Sequence, residues 1–389
     1  MSPVVGEPRG LESTVTTISP EDAKLLKDSI REALRALSDS AEVRRVMATA
    51  RGFDDKVWQR LSGELGLPAL TLPAEYGGAG MSEEELAIAL EEAGDTLLCA
   101  PLFATAALAV PLLRSLGDAA ALAHYGPPIA AGDLTATVAL SEDGGHWRPD
   151  AMRCAATQTP DGRWLLDGVK NYVVDGATAG LILVVARIPA GELAVFAVPG
   201  DDPGLAAEQL VTLDQTRKQA RLVLTQVKAD RIGTGDATEP VARATAVSRA
   251  LLAAEQVGGA QHCLDMTVEY AKTRIQFARP IGSFQAVKQT LAEMLVQVES
   301  ARSAAYAAVT AAATDDPELA HVAAIAALTC AEAYTWVTEE TIQLHGGMGF
   351  TWEHDAHLYF KRARSSAIQL GTATELVDLI GQGLAASVG

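Results

Sequence analysis

The most constraining feature of this 389-residue chain is a proline-free, alanine-rich stretch from residue 241 to 274, opened by Pro240. Proline suits the first turn of a helix and breaks its interior, so the stretch predicts one long helix. Low-bulk side chains let such a helix approach its neighbours closely, which suits a helix bundle or an oligomer interface. The helix stops before Arg279-Pro280-Ile281-Gly282, and a second spans Gln285–Ala313. After the break at Thr314–Glu318, a third runs to about Leu344.

The first part of the chain is also helical in pattern. Ser19-Pro20-Glu21-Asp22 supplies an N-cap, a proline at the first helical position and acids in the first turn. Ser82-Glu83-Glu84-Glu85 is a capping box ahead of Leu86, Ile88 and Leu90. Between them, Pro73–Gly80 is too glycine-rich for a regular element. The middle changes period. Leu134–Leu140, Met152–Thr157, Trp164–Leu166, Tyr172–Val174, Leu181–Ala186, Ala194–Val198 and Leu222–Val227 read as short strands, with Thr159–Gly162 as a hairpin turn. The expected class is α+β with a small antiparallel sandwich or barrel in the middle. Boundaries are expected at 1–18 (a flexible N-terminus), 19–125, 126–236 and 237–389.

Lys+Arg 31 against Asp+Glu 49 leaves a net charge of −18. A duplex-binding protein needs a basic face to displace counterions, so no nucleic-acid partner is expected. An anionic membrane surface is not expected for the same reason. The apolar stretch 97–113 is interrupted by Pro101, Thr105 and Pro111, so no membrane insertion is expected. Cys99, Cys154, Cys263 and Cys330 are too widely spaced for a metal site or a disulfide framework. With no signal-peptide pattern at the N-terminus, the expectation is a cytoplasmic protein.

Three segments carry chemistry. Arg274–Gln285 places two guanidiniums, amides and two aromatic rings on a loop between helices, where arginine and a helix N-terminus favour phosphate. Gln343-Leu344-His345-Gly346-Gly347-Met348-Gly349-Phe350 follows a long helix, and its glycines let backbone approach a ligand. Pro73–Gly80 is the third. In this order, and with a helix–sheet–helix arrangement, they resemble the acyl-CoA dehydrogenase family over nearly the whole chain from about residue 20.

The resemblance implies an N-terminal helical domain, a middle β-domain and a C-terminal four-helix bundle with non-covalent FAD between them. It also implies a dimer of dimers in which a neighbouring subunit completes each FAD site. Arg274, Gln276, Phe277, Ile281, Phe284, Gln285, Gln343, Leu344, Gly347 and Thr372 match the family's FAD contacts. Leu140 and Ser141 match its flavin-binding strand, although Asp143-Gly144-Gly145 departs from the usual continuation. Tyr172 and Val174 stand where Trp and Thr usually meet the flavin. Valine cannot donate a hydrogen bond to N5, which implies altered flavin tuning.

The family's chemistry is α,β-dehydrogenation of an acyl-CoA thioester, in which a carboxylate removes the α-proton. The usual base position is occupied here by Leu370, and the alternative position by Ser248, beside Arg249; both of these last are expected near the acyl-CoA. Glu255, seven residues on and on the same helix face, is the remaining candidate base, weighed against an ion pair within the bundle. His345 reads as structural. Glu353–His357 reads as a turn with polar contacts and no metal. Lys361-Arg362-Ala363-Arg364 reads as a surface face paired with acids.

The leading expectation is an FAD-dependent acyl-CoA dehydrogenase of fatty-acid or steroid catabolism. Either it is one subunit of a heteromer resembling the actinobacterial steroid side-chain type, or it is a homo-oligomer with a displaced base. Electrons would pass to an electron-transfer flavoprotein or similar acceptor. The alternatives are a flavin monooxygenase or oxidase on the same fold, and a non-catalytic structural subunit.

Overall fold

The computed structural model describes residues 18–144 and 152–388. The expected flexible N-terminus therefore lies, apart from Ile18, outside the described residues. The chain begins with α1 (Pro20–Leu37), α2 (Ser40–Met47), α3 (Asp55–Gly63) and α4 (Glu83–Asp95). A π-helical turn, Phe103–Ala109, leads into α5 (Val110–Leu116) and α6 (Ala119–Ala131). Ser19 caps α1 by accepting from the Asp22 amide at 3.1 Å. At α4 the capping box is complete: the Ser82 amide donates to Glu85 at 2.9 Å, while the Ser82 hydroxyl accepts from Glu84. α6 crosses the expected boundary at residue 125, because Pro127 and Pro128 are accommodated near its end before a left-handed Gly132.

The middle region holds β1 (Ala136–Ala139), β2 (Ala155–Gln158), β3 (Trp164–Val174), β4 (Leu181–Arg187), β5 (Leu193–Pro199), β6 (Leu205–Gln209) and β7 (Gln219–Ile232). Antiparallel ladders join β2 to β3, β3 to β7, β7 to β5 and β5 to β4. One pair, Ala155 with Arg187, closes the ring into a small barrel. The sheet is not wholly antiparallel, since β1 and that closing pair of β2 run parallel to β4. β1 can do so because the intervening β2–β3 hairpin is long enough for the crossover a parallel pair requires.

The C-terminal region comprises α7 (Thr238–Thr273), a β8–β9 hairpin (Ile275–Gln276, Arg279–Pro280), α8 (Gln285–Ala313), α9 (Leu319–His345), α10 (Ala356–Ser366) and α11 (Ala373–Val388). α7 is buried almost continuously from Ala244 to Ala260. α4 meets it backbone to backbone: a Cβ on Gly258 would lie 1.8 Å from the Glu91 carbonyl oxygen. One on Gly94 would lie 2.0 Å from the carbonyl oxygen of Glu255. This close crossing carries Glu255 into the junction of the three regions.

Candidate active site

At that junction lies a buried cluster of four charges. Glu255 is 4% exposed, and the Arg217 guanidinium donates to both of its carboxylate oxygens. Arg362 Nη1 donates to Glu255 at 2.8 Å, its Nε to Asp214 at 2.9 Å and its Nη2 to the Thr216 hydroxyl at 2.6 Å. Arg217 also stacks over the Phe103 ring at 4.4 Å. Two arginines and two carboxylates balance, which is what allows them to be buried together. Burial pulls the Arg217 pKa down. Burial also acts against the Arg362 charge, but Asp214 and Glu255 outweigh it and raise its pKa. Asp175, at the end of β3, is pushed up to about 7 by burial, against the pull of Arg217, Arg362 and Lys218.

Glu255 thus accepts three hydrogen bonds from two arginines, the ion pair within the bundle against which its role as a base was weighed. Arg362, expected on a surface face, is instead 3% exposed; its acids, Asp214 and Glu255, come from distant parts of the chain and draw it inward. The other two positions to which the resemblance points hold no carboxylate. Leu370 is buried, and its carbonyl accepts from Arg249 Nε at 2.8 Å. The Ser248 hydroxyl lies 2.6 Å from the Ala107 carbonyl and 2.8 Å from that of Ala244, which its single proton serves. Arg249 is 7% exposed, and burial lowers its pKa to about 10.

Beside the cluster opens a largely apolar cavity of about 490 Å³. One wall is the β6–β7 loop, with Val211, Leu213 and Asp214; the other is the end of α10 and the turn after it, with Ile368, Gln369 and Thr372. A hydrogen bond of 2.9 Å from Gln219 to Gln369 links the two walls. Tyr172 faces the cavity because the β3–β7 register shifts between Lys170 and Val173, and Tyr172 takes a left-handed φ of 57°. A bulge of this kind re-aims one side chain out of the pleat. At the preceding strand position, the Asn171 backbone amide donates to the Ser141 carbonyl at 2.9 Å. The Ser141 hydroxyl is buried and has no partner among the described residues. Leu140 is buried and its carbonyl accepts from the fully buried Lys170, which also pairs with Glu142 at 2.7 Å. Val174 is turned into the core rather than the cavity. Thr372 caps α11, its amide donating to Glu375 at 2.8 Å.

The two other sequence segments lie elsewhere. α7 and α9 run parallel, joined by Thr267–Thr341 at 3.1 Å and by Tyr270 stacked on His345 at 4.3 Å. Both segments therefore leave the same end of the bundle. Arg274, Gln276 and Phe277 are exposed on the β8–β9 hairpin, whose Phe277 and Ala278 take left-handed φ values. Arg279 packs over Phe284 at 3.9 Å, Ile281 and Phe284 are half-buried, and Gln285 opens α8. Gln343 is exposed, Leu344 is half-buried, and nothing lies within 4 Å of a Cβ placed on Gly347. None of these residues lines the 490 Å³ cavity. His345 is buried with Nδ1 2.7 Å from the Thr341 carbonyl. Asp355 pairs with Arg44 and starts α10. Among the described residues, no group of three or more His, Cys, Asp or Glu side chains could hold a metal ion, and no helix is long and apolar enough to cross a membrane.

The cavity wall at Val211, Leu213, Gln219 and Gln369, and the Asp214–Thr216–Arg217 group, were not singled out by sequence reasoning. The visible signal was a charged Asp-x-Thr-Arg quartet ahead of an apolar strand.

Known proteins agree with this architecture. The acyl-CoA dehydrogenase N-terminal domain model matches residues 20–133, and the C-terminal domain model residues 239–385. The acyl-CoA dehydrogenase IpdE2 of Mycobacterium tuberculosis is 34% identical over 362 residues, covering 92% of this chain and 96% of that protein. Among solved structures, the ChsE4-ChsE5 complex from Mycobacterium tuberculosis superposes with a TM-score of 0.86 at 30% identity, over 95% of this chain and 98% of the other. The Tcur3481-Tcur3483 steroid ACAD G363A variant gives 0.85 at 30% identity, over 95% and 99%. Similarity of this extent, carried by a fold with the same order of helical, β and helical regions, shows that the chain belongs to the acyl-CoA dehydrogenase family.

Proposed function

We propose that this chain is an FAD-binding subunit of a heteromeric acyl-CoA dehydrogenase acting on a bulky, steroid-type acyl-CoA, with the catalytic base supplied by a partner subunit. The observation that carries the proposal is the Glu255 carboxylate clamped between Arg217 and Arg362. With Leu370 and Ser248 at the other two positions, none of the three positions to which the resemblance points offers a free carboxylate for the α-proton. Solved relatives named as two-component assemblies, ChsE4-ChsE5 and Tcur3481-Tcur3483, support the heteromeric reading.

The residues present suit FAD. The half-exposed Tyr172 ring and the apolar cavity wall match a flat ring system, and the buried Ser141 hydroxyl, unpartnered among the described residues, lies next to Tyr172's strand. FAD supplies the hydride acceptor of α,β-dehydrogenation when bound. Tyr172 offers a stacking face, and Val211, Leu213 and Ile368 exclude water. Arg249 holds the Leu370 carbonyl and so fixes the turn that presents Gln369 and Thr372.

From Glu255, beside the cavity, to Arg274 is nineteen residues of helix, about 29 Å at 1.5 Å per residue. The exposed Arg274–Gln285 and Gln343–Gly347 segments thus serve a cofactor seated mainly in another subunit, and the assembly is a dimer of dimers. An electron-transfer flavoprotein or similar acceptor takes the electrons onward.

Purification of this chain alone and co-expressed with its candidate partner, followed by flavin-to-protein stoichiometry, tests the reading. The expected result is a mixed complex with bound FAD. A flavin-saturated homo-oligomer that oxidises acyl-CoA unaided would overturn it.

A further inference from the structure

Lys170, on β3, is fully buried, and the proposed function gives it no task. Its ammonium finds an acceptor for each of its protons: Glu142 Oε1 at 2.7 Å, the Leu140 carbonyl at 3.1 Å and Met152 Sδ at 3.4 Å. Glu142 is itself held at the entry to β2, where it accepts from the backbone amides of Arg153 at 2.6 Å and Cys154 at 2.9 Å. Asn171 extends the same hold. Its backbone amide donates to the Ser141 carbonyl at 2.9 Å, and its side-chain amide donates to Asp143 at 2.8 Å. Lys170 and Asn171 thus grip the run from Leu140 to Asp143 that follows β1. Both runs end at the large cavity: the next residue is Gly144 on one side and Tyr172 on the other, and both line it.

Tyr172 needs such a hold. On a regular strand it would share a face with Lys170, which is turned inward. The register shift between Lys170 and Val173, with the left-handed φ of 57°, turns Tyr172 outward instead, to 48% exposure. Such a φ is strained for a bulky residue and persists where surrounding contacts over-determine it. A buried ammonium is unfavourable even when paired, and an apolar side chain of similar length would fill the space without that penalty. We propose that Lys170, with Glu142 as its anchor, is a positioning residue that sets the β3 bulge and so holds Tyr172 and Gly144 against the large cavity. The role rests on the reading of that cavity as the flavin seat, and it acts on the cofactor through Tyr172.

Two readouts on the full-length protein test it. Hydrogen exchange needs no cofactor: in Lys170→Met, amides of residues 140–144 and 170–174 should exchange roughly tenfold faster, while those of β5 stay within about twofold. Unchanged exchange over both segments overturns the proposal, whether or not this chain holds the flavin. The second readout is the affinity of the flavin-stripped protein for free FAD. Tyr172→Ala should weaken it by roughly tenfold, as loss of one stacked ring does. Lys170→Met should weaken it at least as much, and the double variant should lie within about twofold of Lys170→Met alone, because both changes remove the same contact. Effects that multiply would show Lys170 acting on the fold at large, and would overturn the proposal. Glu142→Gln, which keeps the shape of the side chain, should move both readouts in the same direction, and it carries the test if Lys170→Met does not fold; no movement in either overturns the proposal. Unmodified protein that takes up no FAD would contradict the proposed function, and the exchange result then decides the positioning role.

Discussion

The charged junction at Glu255 and the far end of the helical bundle differ in how complete they are. At the junction two acids meet two arginines within the chain: Glu255 and Asp214 face Arg217 and Arg362, and all four are at least nine-tenths buried. At the far end, Phe277 is 87% exposed, Phe350 86% and Trp352 66%, beside an arginine-bearing hairpin and a glycine loop. The first region pairs its acids and arginines internally, and the second turns its rings and cations outward. Large apolar side chains rimmed by cations are a costly surface for a lone protomer, which supports the proposed contact with another subunit.

The largest effect that would break this contrast is expected at the junction. Glu255→Ala leaves two buried guanidiniums facing each other, and should cost about 3–5 kcal/mol in denaturant unfolding. A cost below ~1 kcal/mol would mean that the cluster is not the closed unit described here. Gly258→Ala comes next. Its Cβ would meet the Glu91 carbonyl, so α4 and α7 must separate, at roughly 1–3 kcal/mol in the same assay. At the far end the opposite pattern is expected. Phe277→Ala should change protomer stability by less than ~0.5 kcal/mol, as a surface substitution does, yet weaken subunit association in sedimentation experiments.

The smallest effect depends on pH. Asp175 is raised in the folded state, so the folded protein binds more protons than the unfolded chain between the ordinary carboxylate pKa and about 7. Its contribution to stability therefore falls as pH rises through that window. Asp175→Asn should raise the Tm more at pH 8 than at pH 4, measured by calorimetry; an equal shift at both pH values would remove Asp175 from the junction's electrostatics.

The same contrast governs what the sequence made legible. Helix starts at Ser19 and Ser82, the hairpin at Thr159–Gly162 and the long α7 follow from local chemistry, and local chemistry is written in neighbouring residues. β6 was invisible because Leu205-Ala206-Ala207-Glu208-Gln209 is largely solvated and pairs only along β7. Arg362 looked like a surface cation because its burial depends on Asp214, 148 residues away. That Leu370 and Ser248 carry no carboxylate is plain from the sequence. The state of Glu255 was not, since an acid amid apolar neighbours looks alike in sequence whether it is free or clamped. Only the approach of Arg217 and Arg362 distinguishes the two.

The central claim is that this chain has no base of its own. Anaerobic stopped-flow mixing of the FAD-loaded chain with an acyl-CoA thioester, with and without the partner subunit, tests it most directly. The account expects the flavin absorbance to bleach only when the partner is present, and Glu255→Gln to leave the bleaching rate of the complex within about threefold (~0.6 kcal/mol). Rapid bleaching by this chain alone, abolished by Glu255→Gln, would contradict it.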